Sequence, residues 1–344
     1  MTDLPATALI AAMKSPLLLI GPGERVVAQN AAMTALLKID FVGRHFITAL
    51  RQPAAIDAVS RARADHATRT ARYMLRLDGS DHVFEATAIP VRDHVVVIFT
   101  DQTAAEETVT LRRDFVANVS HELRTPLTAL LGFIETLQGP ARNDPKAQER
   151  FLGIMATEAD RLRRLVDDLL SLSRVEEVER SRPVTPVDPG TIVRQAAELL
   201  TPIAAEAGTF LTVDVPDDLA PIPGDAAQLQ QVLNNLIENA VKYGATDKGI
   251  TIAATRPAYE PALKQQAIRL RVTDHGQGIA AHHLIRLTER FYRVDTHRSR
   301  AQGGTGLGLA IVKHITNRHR GKLTFESVEG QGTTVTLMLP AELP

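Results

Sequence analysis

Two long stretches of the sequence carry apolar residues at alternating steps of four and three, and this spacing constrains the fold more than any other feature. The first set comprises Leu111, Phe115, Val119, Leu123, Leu127, Leu130, Ile134 and Leu137. The second comprises Phe151, Met155, Leu162, Leu165, Leu169 and Leu172, with Glu158 as one polar interruption. Residues three and four apart share one face of an α-helix. The pattern therefore predicts two long amphipathic helices.

The residues between the two stretches predict a tight connection. Gly139 and Pro140 end the first helix, and Asp144 followed by Pro145 is typical of an N-cap and first helical position. The two helices should form an antiparallel hairpin, with the second helix ending near Glu179. One hairpin cannot bury both stripes, so we expect a second copy to complete a four-helix bundle and make the protein a homodimer.

A histidine lies off the first apolar stripe. His121 is two residues from both Val119 and Leu123, which rotates it by about 160–200° from each of them. A core histidine bound to a backbone carbonyl is the common alternative, but this geometry places the imidazole in solvent. Glu122 follows directly, and Pro126 lies five residues on, where it should bend or loosen the helix or be merely tolerated.

A third predicted helix begins at Asp225 and carries polar side chains beside a broad apolar face. Its apolar residues are Leu229, Val232, Leu233, Leu236, Ile237 and Ala240. Asn235 and Asn239 are four residues apart and can act together. Amide oxygens can bind Mg²⁺, and Lys242 could meet a phosphate. A solvated polar face is the alternative.

Two glycine-rich segments lie further along the chain. The alternating residues 268–273 predict a strand that ends at Asp274, where a carboxylate could accept a hydrogen bond from the exocyclic amine of adenine. Gly276 and Gly278 would let the backbone approach the base, although many turns share this short pattern. The second segment, from Gly303 to Gly308, leads into a helix, and such a helix start binds anions. It lacks the lysine of a Walker A loop. Residues 289–293 should form a mobile lid between the two segments.

In this order the motifs resemble the sensor histidine kinases of two-component systems. The resemblance covers about two thirds of the chain and comprises an H box at 115–126, an N box at 235–243, a first G box at 274–278, an F box at Phe291 and a second G box at 304–308. The sequence at residues 132–137 and 150–152 resembles more narrowly the PhoR type of the phosphate regulon. His275 departs from the family, which more often has Asn or Thr there, and we expect no loss of function from it.

The resemblance implies that His121 attacks the γ-phosphate of ATP, that Glu122 orients the ring or takes its proton, and that Asn239 ligates Mg²⁺. It also implies a set of nucleotide contacts: Asn235, Asn239, Lys242, Tyr243, Asp274, Gly276, Gly278, Phe291, Gly304, Thr305, Gly306, Leu307 and Gly308. The phosphoryl group would pass to an aspartate of a separate response regulator, expected to be PhoB-like. Thr125 completes a pattern similar to the family's phosphatase signature, which implies a bifunctional enzyme.

The first hundred residues predict a mixed α/β domain. Strands are expected at 16–20, 25–30, 73–77, 83–89 and 94–100, with helices between the second and third. The resulting prediction is a multidomain α+β chain: a PAS-like α/β sensor at 10–100, a dimerisation and phosphotransfer hairpin at 101–180, and a GHKL (Bergerat) α/β-sandwich ATPase domain at 187–342. Residues 101–111 would be a signalling helix, and residues 182–190 a hinge.

Composition excludes several classes of function. The chain has no cysteine, which excludes disulfides and thiolate metal sites. Its 39 basic residues nearly balance 40 acidic ones, and the sequence has no basic patch that would indicate binding to nucleic acid. Its longest apolar run, near 16–20, is far shorter than a membrane span of about 20 residues. PhoR-type relatives usually carry such spans. Because the apolar run of this sequence is too short for one, we expect a cytoplasmic protein, either naturally so or through a truncating start site. We also expect peripheral contact with a membrane transport or sensing complex.

Two other classes fit only part of the pattern. A GHKL ATPase of another kind, such as an anti-sigma serine kinase or a chaperone-like ATPase, would explain the nucleotide motifs but not an exposed His121 on a heptad hairpin. A dimeric scaffold would explain the hairpin but not Asn239, Asp274 and the clustered glycines together. The sequence leaves open the signal that is sensed, the identity of the regulator, and whether phosphorylation occurs in cis or in trans.

Overall fold

The computed structural model describes residues 10–179, 181–245, 247–294 and 304–342. Gly303, which begins the second predicted glycine segment, and Arg180, the last residue of the predicted hairpin domain, lie outside the described residues. The chain forms two compact units that divide between Ala117 and Asn118.

The N-terminal unit is built on a five-stranded antiparallel sheet. Its strands are β1 (Leu17–Ile20), β2 (Val26–Gln29), β3 (Arg69–Leu77), β4 (Ser80–Val91) and β5 (His94–Asp101), in the spatial order β2-β1-β5-β4-β3. Three helices follow β2 along the chain: α1 (Ala31–Leu37), α2 (Phe46–Leu50) and α3 (Pro53–Asp65). The predicted strands and the helical region between them are therefore confirmed.

The core of this unit follows from the alternation of its strands. Residues of β5 alternate between buried and half-buried, and Phe99 packs edge-on against Tyr73 of β3 with ring centres 5.1 Å apart. The buried Asn30 caps α1, because its Oδ1 accepts hydrogen bonds from the backbone N–H groups of Met33 and Leu17. This polar side chain ties the first strand to the first helix.

Two long helices form the predicted hairpin. Helix α4 runs without interruption from Thr103 to Gln138, through Pro126, and α5 runs from Pro145 to Val178. Asp144 caps α5, since its Oδ1 accepts from the N–H groups of Lys146 and Ala147 at 3.1 Å. The predicted ends of both helices are confirmed. The part of this pair that belongs to the C-terminal unit, residues 118–178, is called the hairpin.

The hairpin buries part of the predicted apolar stripes and leaves other apolar residues exposed. Leu165 and Leu172 of the predicted stripe are buried, and the rings of Phe133 and Phe151 stack with centres 5.4 Å apart. A row of apolar residues stays exposed in the single chain; it comprises Leu127 and Ile134 of the predicted stripe together with Leu131, Leu152, Val166 and Leu170. Because such a row is costly to leave in water, it marks a surface suited to a further layer of packing.

The rest of the C-terminal unit is a mixed sheet covered by helices. Its strands are β6 (Pro186–Val187), β7 (Leu211–Asp214), β8 (Ile222–Pro223), β9 (Ile250–Ala254), β10 (Ala258–Glu260), β11 (Gln265–Asp274), β12 (Lys322–Val328) and β13 (Gly332–Pro340). The order in the mixed sheet is β12-β13-β11-β9-β7, in which only the β7–β9 pair is parallel, and β10 pairs with β11. Strands β6 and β8 form a separate two-stranded antiparallel sheet. The helices are α6 (Pro189–Glu206), α7 (Ala226–Tyr243), α8 (Ala281–Leu284) and α9 (Gly308–Arg318).

The predicted asparagine-bearing helix is α7, and it positions the site. Asp225 is its N-cap, and the six apolar residues predicted for one face are its buried residues. Burial of that face against the sheet and against α6 and α9 leaves Asn235, Asn239 and Lys242 half-buried at its edge. Among the described residues, no helix has the length and apolar character that crossing a membrane requires.

Candidate active site

A cavity of about 340 Å³ lies where α7, the ends of the central strands, the start of α9 and the hairpin helix α5 meet. Ten of the thirteen predicted nucleotide contacts line it: Asn235, Asn239, Lys242, Tyr243, Asp274, Gly278, Gly304, Thr305, Gly306 and Gly308. The other three, Gly276, Phe291 and Leu307, are not among the lining residues. Their contacts place them directly behind the cavity wall.

Asp274 is the last residue of β11 and pairs with Thr333 of β13. Its Oδ1 accepts a hydrogen bond of 2.8 Å from the N–H of Gly276. Burial raises the pKa of Asp274 above its ordinary value, although the backbone N–H groups of Gly276 and Thr333 oppose the shift. The sheet register thus fixes one carboxylate at the inner end of the cavity.

Three glycines shape the wall because no larger residue fits there. A Cβ at Gly276 would lie 2.0 Å from the carbonyl oxygen of Tyr243, and one at Gly278 would lie 2.1 Å from that of Val328. Gly306 has φ +75°, and the backbone of Phe291 passes 2.9 Å from where its Cβ would be. The N–H of Phe291 also donates to the Gly306 carbonyl at 2.8 Å. Phe291 therefore supports the glycine segment from behind.

The polar edge of α7 offers groups suited to a bound nucleotide. Within the described part of the chain, the buried Nδ2 of Asn235 has no hydrogen-bond partner, although an amide donor in such a place requires one. Lys242 Nζ lies 3.4 Å from Glu238 on the same helix. A polar ligand in the cavity would satisfy Asn235, so the residues present fit a nucleotide phosphate with its cation.

The hairpin contributes a second part of the site. His121 is exposed, as its position off the apolar stripe predicts, and its backbone carbonyl accepts from Thr125 Oγ1 at 3.2 Å. Glu122 Oε2 lies 3.1 Å from Arg161 Nη2 of α5 and 3.3 Å from Arg293 Nη2. The same Arg293 nitrogen donates to the carbonyl of Gly304. One guanidinium thus links the neighbour of His121 to the second glycine segment, which we define as Gly304–Gly308.

Three residues of α5 line the cavity itself, namely Arg164, Asp167 and Asp168. Asp168 Oδ2 accepts a hydrogen bond of 2.6 Å from Thr305 Oγ1. Burial raises the pKa of Asp168, and the hydrogen bond from Thr305 only partly offsets this. The cavity is therefore walled on one side by the helix that pairs with the histidine-bearing helix.

Further contacts join the end of α5 to the same domain. Arg290 lies 2.5 Å from Glu176, and Glu179 accepts hydrogen bonds from His314 at 2.9 Å and from Asn317 at 3.1 Å. Burial alone would raise the pKa of Glu179, but the bonds from His314 and Asn317 hold it below its ordinary value. The hydrogen bonds from His314 and Asn317 hold α9 against the end of α5.

Sequence reasoning found the cavity residues of the C-terminal domain but missed Arg161, Asp168 and Arg293. The contacts of all three join segments far apart in the chain, and helical periodicity carries no information on those contacts. One signal was present. Glu158 interrupts the apolar seam of α5, and Arg161 lies three residues later, 3.6 Å from it. A charged pair inside an apolar seam indicates that this part of the helix has a polar partner.

Comparison with known families matches two parts of the chain. Residues 111–178 match the family described as His Kinase A (phospho-acceptor) domain. Residues 224–343 match the family of histidine kinase-, DNA gyrase B- and HSP90-like ATPases. The two matches coincide with the hairpin and with the mixed sheet domain, so the predicted GHKL α/β fold is confirmed for the latter.

Curated relatives extend this likeness across most of the chain. The sensor protein kinase WalK of Staphylococcus saprophyticus is 37% identical over 252 residues, which are 72% of this chain and 40% of that protein. A WalK of Staphylococcus aureus is 36% identical over 248 residues, covering 72% of this chain and 58% of that protein. The chain thus spans about half the length of the curated relatives it matches.

Two solved structures share the fold. The histidine kinase ThkA in complex with the response regulator protein TrrA superposes with a TM-score of 0.53 at 17% identity, covering 97% of this chain and 98% of that one. The Acinetobacter baumannii histidine kinase AdeS gives a TM-score of 0.50 at 24% identity, covering 65% of this chain and 98% of that one.

Proposed function

The chain belongs to the sensor histidine kinases of two-component systems, and we propose that it uses ATP to phosphorylate its own His121 and passes the phosphoryl group to a response regulator. One observation carries the proposal: Glu122, next to His121, is bound by Arg293, whose guanidinium also binds the glycine segment at the nucleotide cavity. The phosphate side of the cavity and the acceptor histidine are thereby joined by one side chain.

The cavity residues divide into those that hold the base and those that hold the phosphates. Asp274 accepts from the exocyclic amine of adenine, with Gly276 and Gly278 giving the base room. Asn239 holds Mg²⁺, Asn235 supports it, and Lys242 and the second glycine segment meet the phosphates. Tyr243 lines the cavity beside them, and Phe291 and Leu307 support the cavity wall from behind. Bound Mg·ATP supplies the transferable γ-phosphoryl group.

The hairpin residues supply the acceptor. The exposed imidazole of His121 forms the new N–P bond as the bond from the γ-phosphorus to ADP breaks, and Glu122 orients the ring or takes its proton. Arg161 and Arg293 fix the Glu122 carboxylate, so its position is set before reaction. Positioning and electrostatics supply most of the rate in phosphoryl transfer.

The test is incubation of the purified chain with Mg²⁺ and γ-labelled ATP. We expect acid-labile, alkali-stable label on the unaltered chain and none on His121→Gln or Asn239→Ala. Label that persists on His121→Gln would mean that a different residue is the acceptor, as in a GHKL serine kinase. Absence of label on every chain, including one lacking residues 1–100, would support a scaffold instead.

The partner of the phosphorylated chain is an aspartate of a response regulator. Thr125 would place a water on the phosphorylated regulator, which makes the enzyme bifunctional. Assignment to the PhoR type, with a PhoB-like regulator and a phosphate signal, stays a prediction. The two curated relatives from Staphylococcus carry the name WalK and give this narrower assignment no support. Offering a panel of purified regulators to the labelled kinase, and timing the transfer, would decide it.

The oligomer that we propose is a homodimer. The exposed row on the hairpin that includes Leu131 and Leu170 would be buried by the same row of a second copy, which completes a four-helix bundle. A dimer also agrees with the heptad spacing of α5.

The domain plan is part of the proposal. The five-stranded sheet unit would be a PAS-like sensor at 10–100, followed by the hairpin domain at 101–180 and the ATPase domain at 187–342. The antiparallel sheet with helices between β2 and β3 supports the first of these. Peripheral contact with a membrane transport or sensing complex stays a prediction.

A further inference from the structure

Asp168 lies on the hairpin, yet its carboxylate reaches the nucleotide cavity of the C-terminal domain. Its Oδ2 accepts from Thr305 Oγ1 at 2.6 Å, which is the short distance expected of a hydroxyl bound to a carboxylate. Because the Thr305 hydroxyl donates its hydrogen to Asp168, the lone pairs of its oxygen are left to accept a hydrogen bond from the N–H of Leu307, at 3.3 Å. Leu307 is the N-cap of α9. A hairpin carboxylate therefore orders the first residues of that helix.

The segment that Asp168 orders is the one that would meet the phosphates. Thr305, Gly306 and Gly308 all line the cavity, and their backbone stands at the positive end of an eleven-residue helix. Glycine-rich backbone is inherently mobile, so an anchor from outside the domain reduces the number of conformations it can adopt. Holding Thr305 from α5 keeps the N–H groups of this segment in one arrangement before the nucleotide arrives.

We propose that Asp168 is a positioning residue of the nucleotide site, which holds Thr305 and thereby fixes the second glycine segment for the phosphates of the nucleotide. The proposal rests on the kinase function proposed for this cavity. The phosphate part of the site is then complete only while α5 stands beside it. Nucleotide binding and docking of the domain on its own hairpin strengthen each other by the same factor, since coupling between two equilibria is reciprocal.

The contact predicts a defined pattern in equilibrium binding. Isothermal titration of the full chain with Mg²⁺ would use two probes: AMPPNP, which has three phosphates, and AMP, which has one. We expect Asp168→Ala to raise the Kd for AMPPNP about fivefold, the effect of one hydrogen bond, and to change the Kd for AMP less than twofold. Glu149→Ala removes an exposed carboxylate from the same helix and should leave both values unchanged.

A double-variant cycle tests whether Asp168 acts through Thr305. Thr305→Val should weaken AMPPNP binding to the same extent, and the double variant should bind no more weakly than either single one. Asp168→Asn keeps an oxygen acceptor in a side chain of the same shape and should bind AMPPNP at least as tightly as the unaltered chain. If Asp168→Ala does not fold, Thr305→Val carries the test, because it removes the donor of the same hydrogen bond.

Three results would overturn the inference: unchanged AMPPNP binding by Asp168→Ala, an equal loss for AMP, or independent effects of the two substitutions. Each measurement is independent of phosphoryl transfer. A chain that showed the expected binding pattern but no label on His121 would contradict the proposed function and leave the role of Asp168 intact. A chain that labelled His121 normally but lacked the expected binding pattern would contradict the role of Asp168 and leave the proposed function intact.

Discussion

Arg293 and Glu122 are 171 positions apart in the chain, and their side chains meet with Nη2 3.3 Å from Oε2. Both side chains are largely shielded from solvent, and Arg161 binds the same carboxylate oxygen from α5. The carboxylate next to His121 is thus shared by two guanidinium groups, one from each side of the interface between hairpin and ATPase domain. Charge-assisted bonds of this kind are stronger than neutral ones and fix geometry.

We expect Arg293→Ala to slow autophosphorylation of His121 by about 10- to 100-fold, because the substitution removes the link that aligns Glu122 with the glycine segment. The initial rate of label incorporation at saturating ATP measures the effect. Arg256→Ala is a matched control, since Arg256 forms an exposed ion pair with Asp218 in the same domain. Equal rates for Arg293→Ala and Arg256→Ala would show that the link has no part in the reaction.

The helices of the site were predictable from sequence because their causes are local. Spacing of apolar residues and the caps at Asp144 and Asp225 depend on residues within a few turns, and both helices begin where those signals predict. The hydrogen bond from Thr305 to Asp168 spans 137 positions and depends on how one domain stands on another. No local pattern contains that information. The prediction that one hairpin cannot bury both stripes agrees with the exposure of Leu127 and Ile134. Leu131 and Leu170 were not predicted to share that surface, because they lie outside the two stripes that the spacing indicates.

Gly276→Ala should weaken nucleotide binding. A methyl group there would lie 2.0 Å from the backbone carbonyl of Tyr243, so either α7 or the loop after Asp274 must shift. We expect the Kd for AMPPNP to rise more than tenfold, by roughly 1.4 kcal/mol or more. Gly153→Ala is the opposite case, because nothing lies within 4 Å of the added methyl group on helix α5. It should leave binding unchanged and stabilise the helix by about 0.5–1 kcal/mol. Normal binding by Gly276→Ala would refute the close packing of this turn.

Leu131→Glu and Leu170→Glu should each convert the dimer into a monomer. Leu131 is 54% exposed and Leu170 52% exposed in the single chain, and a charge at either place would be buried in the proposed bundle at a cost of several kcal/mol. Light scattering coupled to size-exclusion chromatography gives the mass. Leu199→Glu is the matched control, since Leu199 is 59% exposed on α6, away from the hairpin, and its variant should keep the mass of the unaltered chain. A dimer that persists in both hairpin variants would place the interface elsewhere.

Thr125→Ala should separate the two activities that we propose for the hairpin. The Thr125 hydroxyl is exposed one turn beyond His121, where it donates to the His121 carbonyl and adds nothing to the core. We therefore expect labelling of His121 within about twofold of the unaltered chain and loss of regulator dephosphorylation by about tenfold or more, an effect typical of removing one water-positioning group. Thr128→Ala, also exposed on α4, is the control and should retain both activities. If the phosphorylated regulator decays equally fast with Thr125→Ala, the bifunctional assignment is wrong.

His319 should make the stability of the C-terminal unit depend on pH. Its Nε2 accepts from the N–H of Asp225 at 3.0 Å, while Nδ1 lies 2.8 Å from the carbonyl of Ile315, an arrangement that requires the neutral ring. Burial lowers the pKa of His319 below its ordinary value, and the bond to Ile315 only partly opposes this. The unfolded chain therefore takes up a proton at higher pH than the folded one does. The stability that the neutral His319 contributes to the folded unit is fully present above the pKa of histidine in the unfolded chain, about 6.5. It is lost as pH falls from there toward the pKa of His319 in the folded unit.

Urea unfolding at a series of pH values between 8 and 5 measures this dependence. The midpoint for the unaltered chain should fall steadily below pH 6.5. His319→Asn should start from a lower midpoint, because it breaks the tie between α9 and the cap of α7, but it should lose less of its stability on acidification. His282→Asn removes an exposed histidine of the same unit and should keep the full slope. If His319→Asn and the unaltered chain lost stability in parallel, some other group would cause the pH dependence. The neutral His319 ring with its two hydrogen bonds would then not be what joins these two helices.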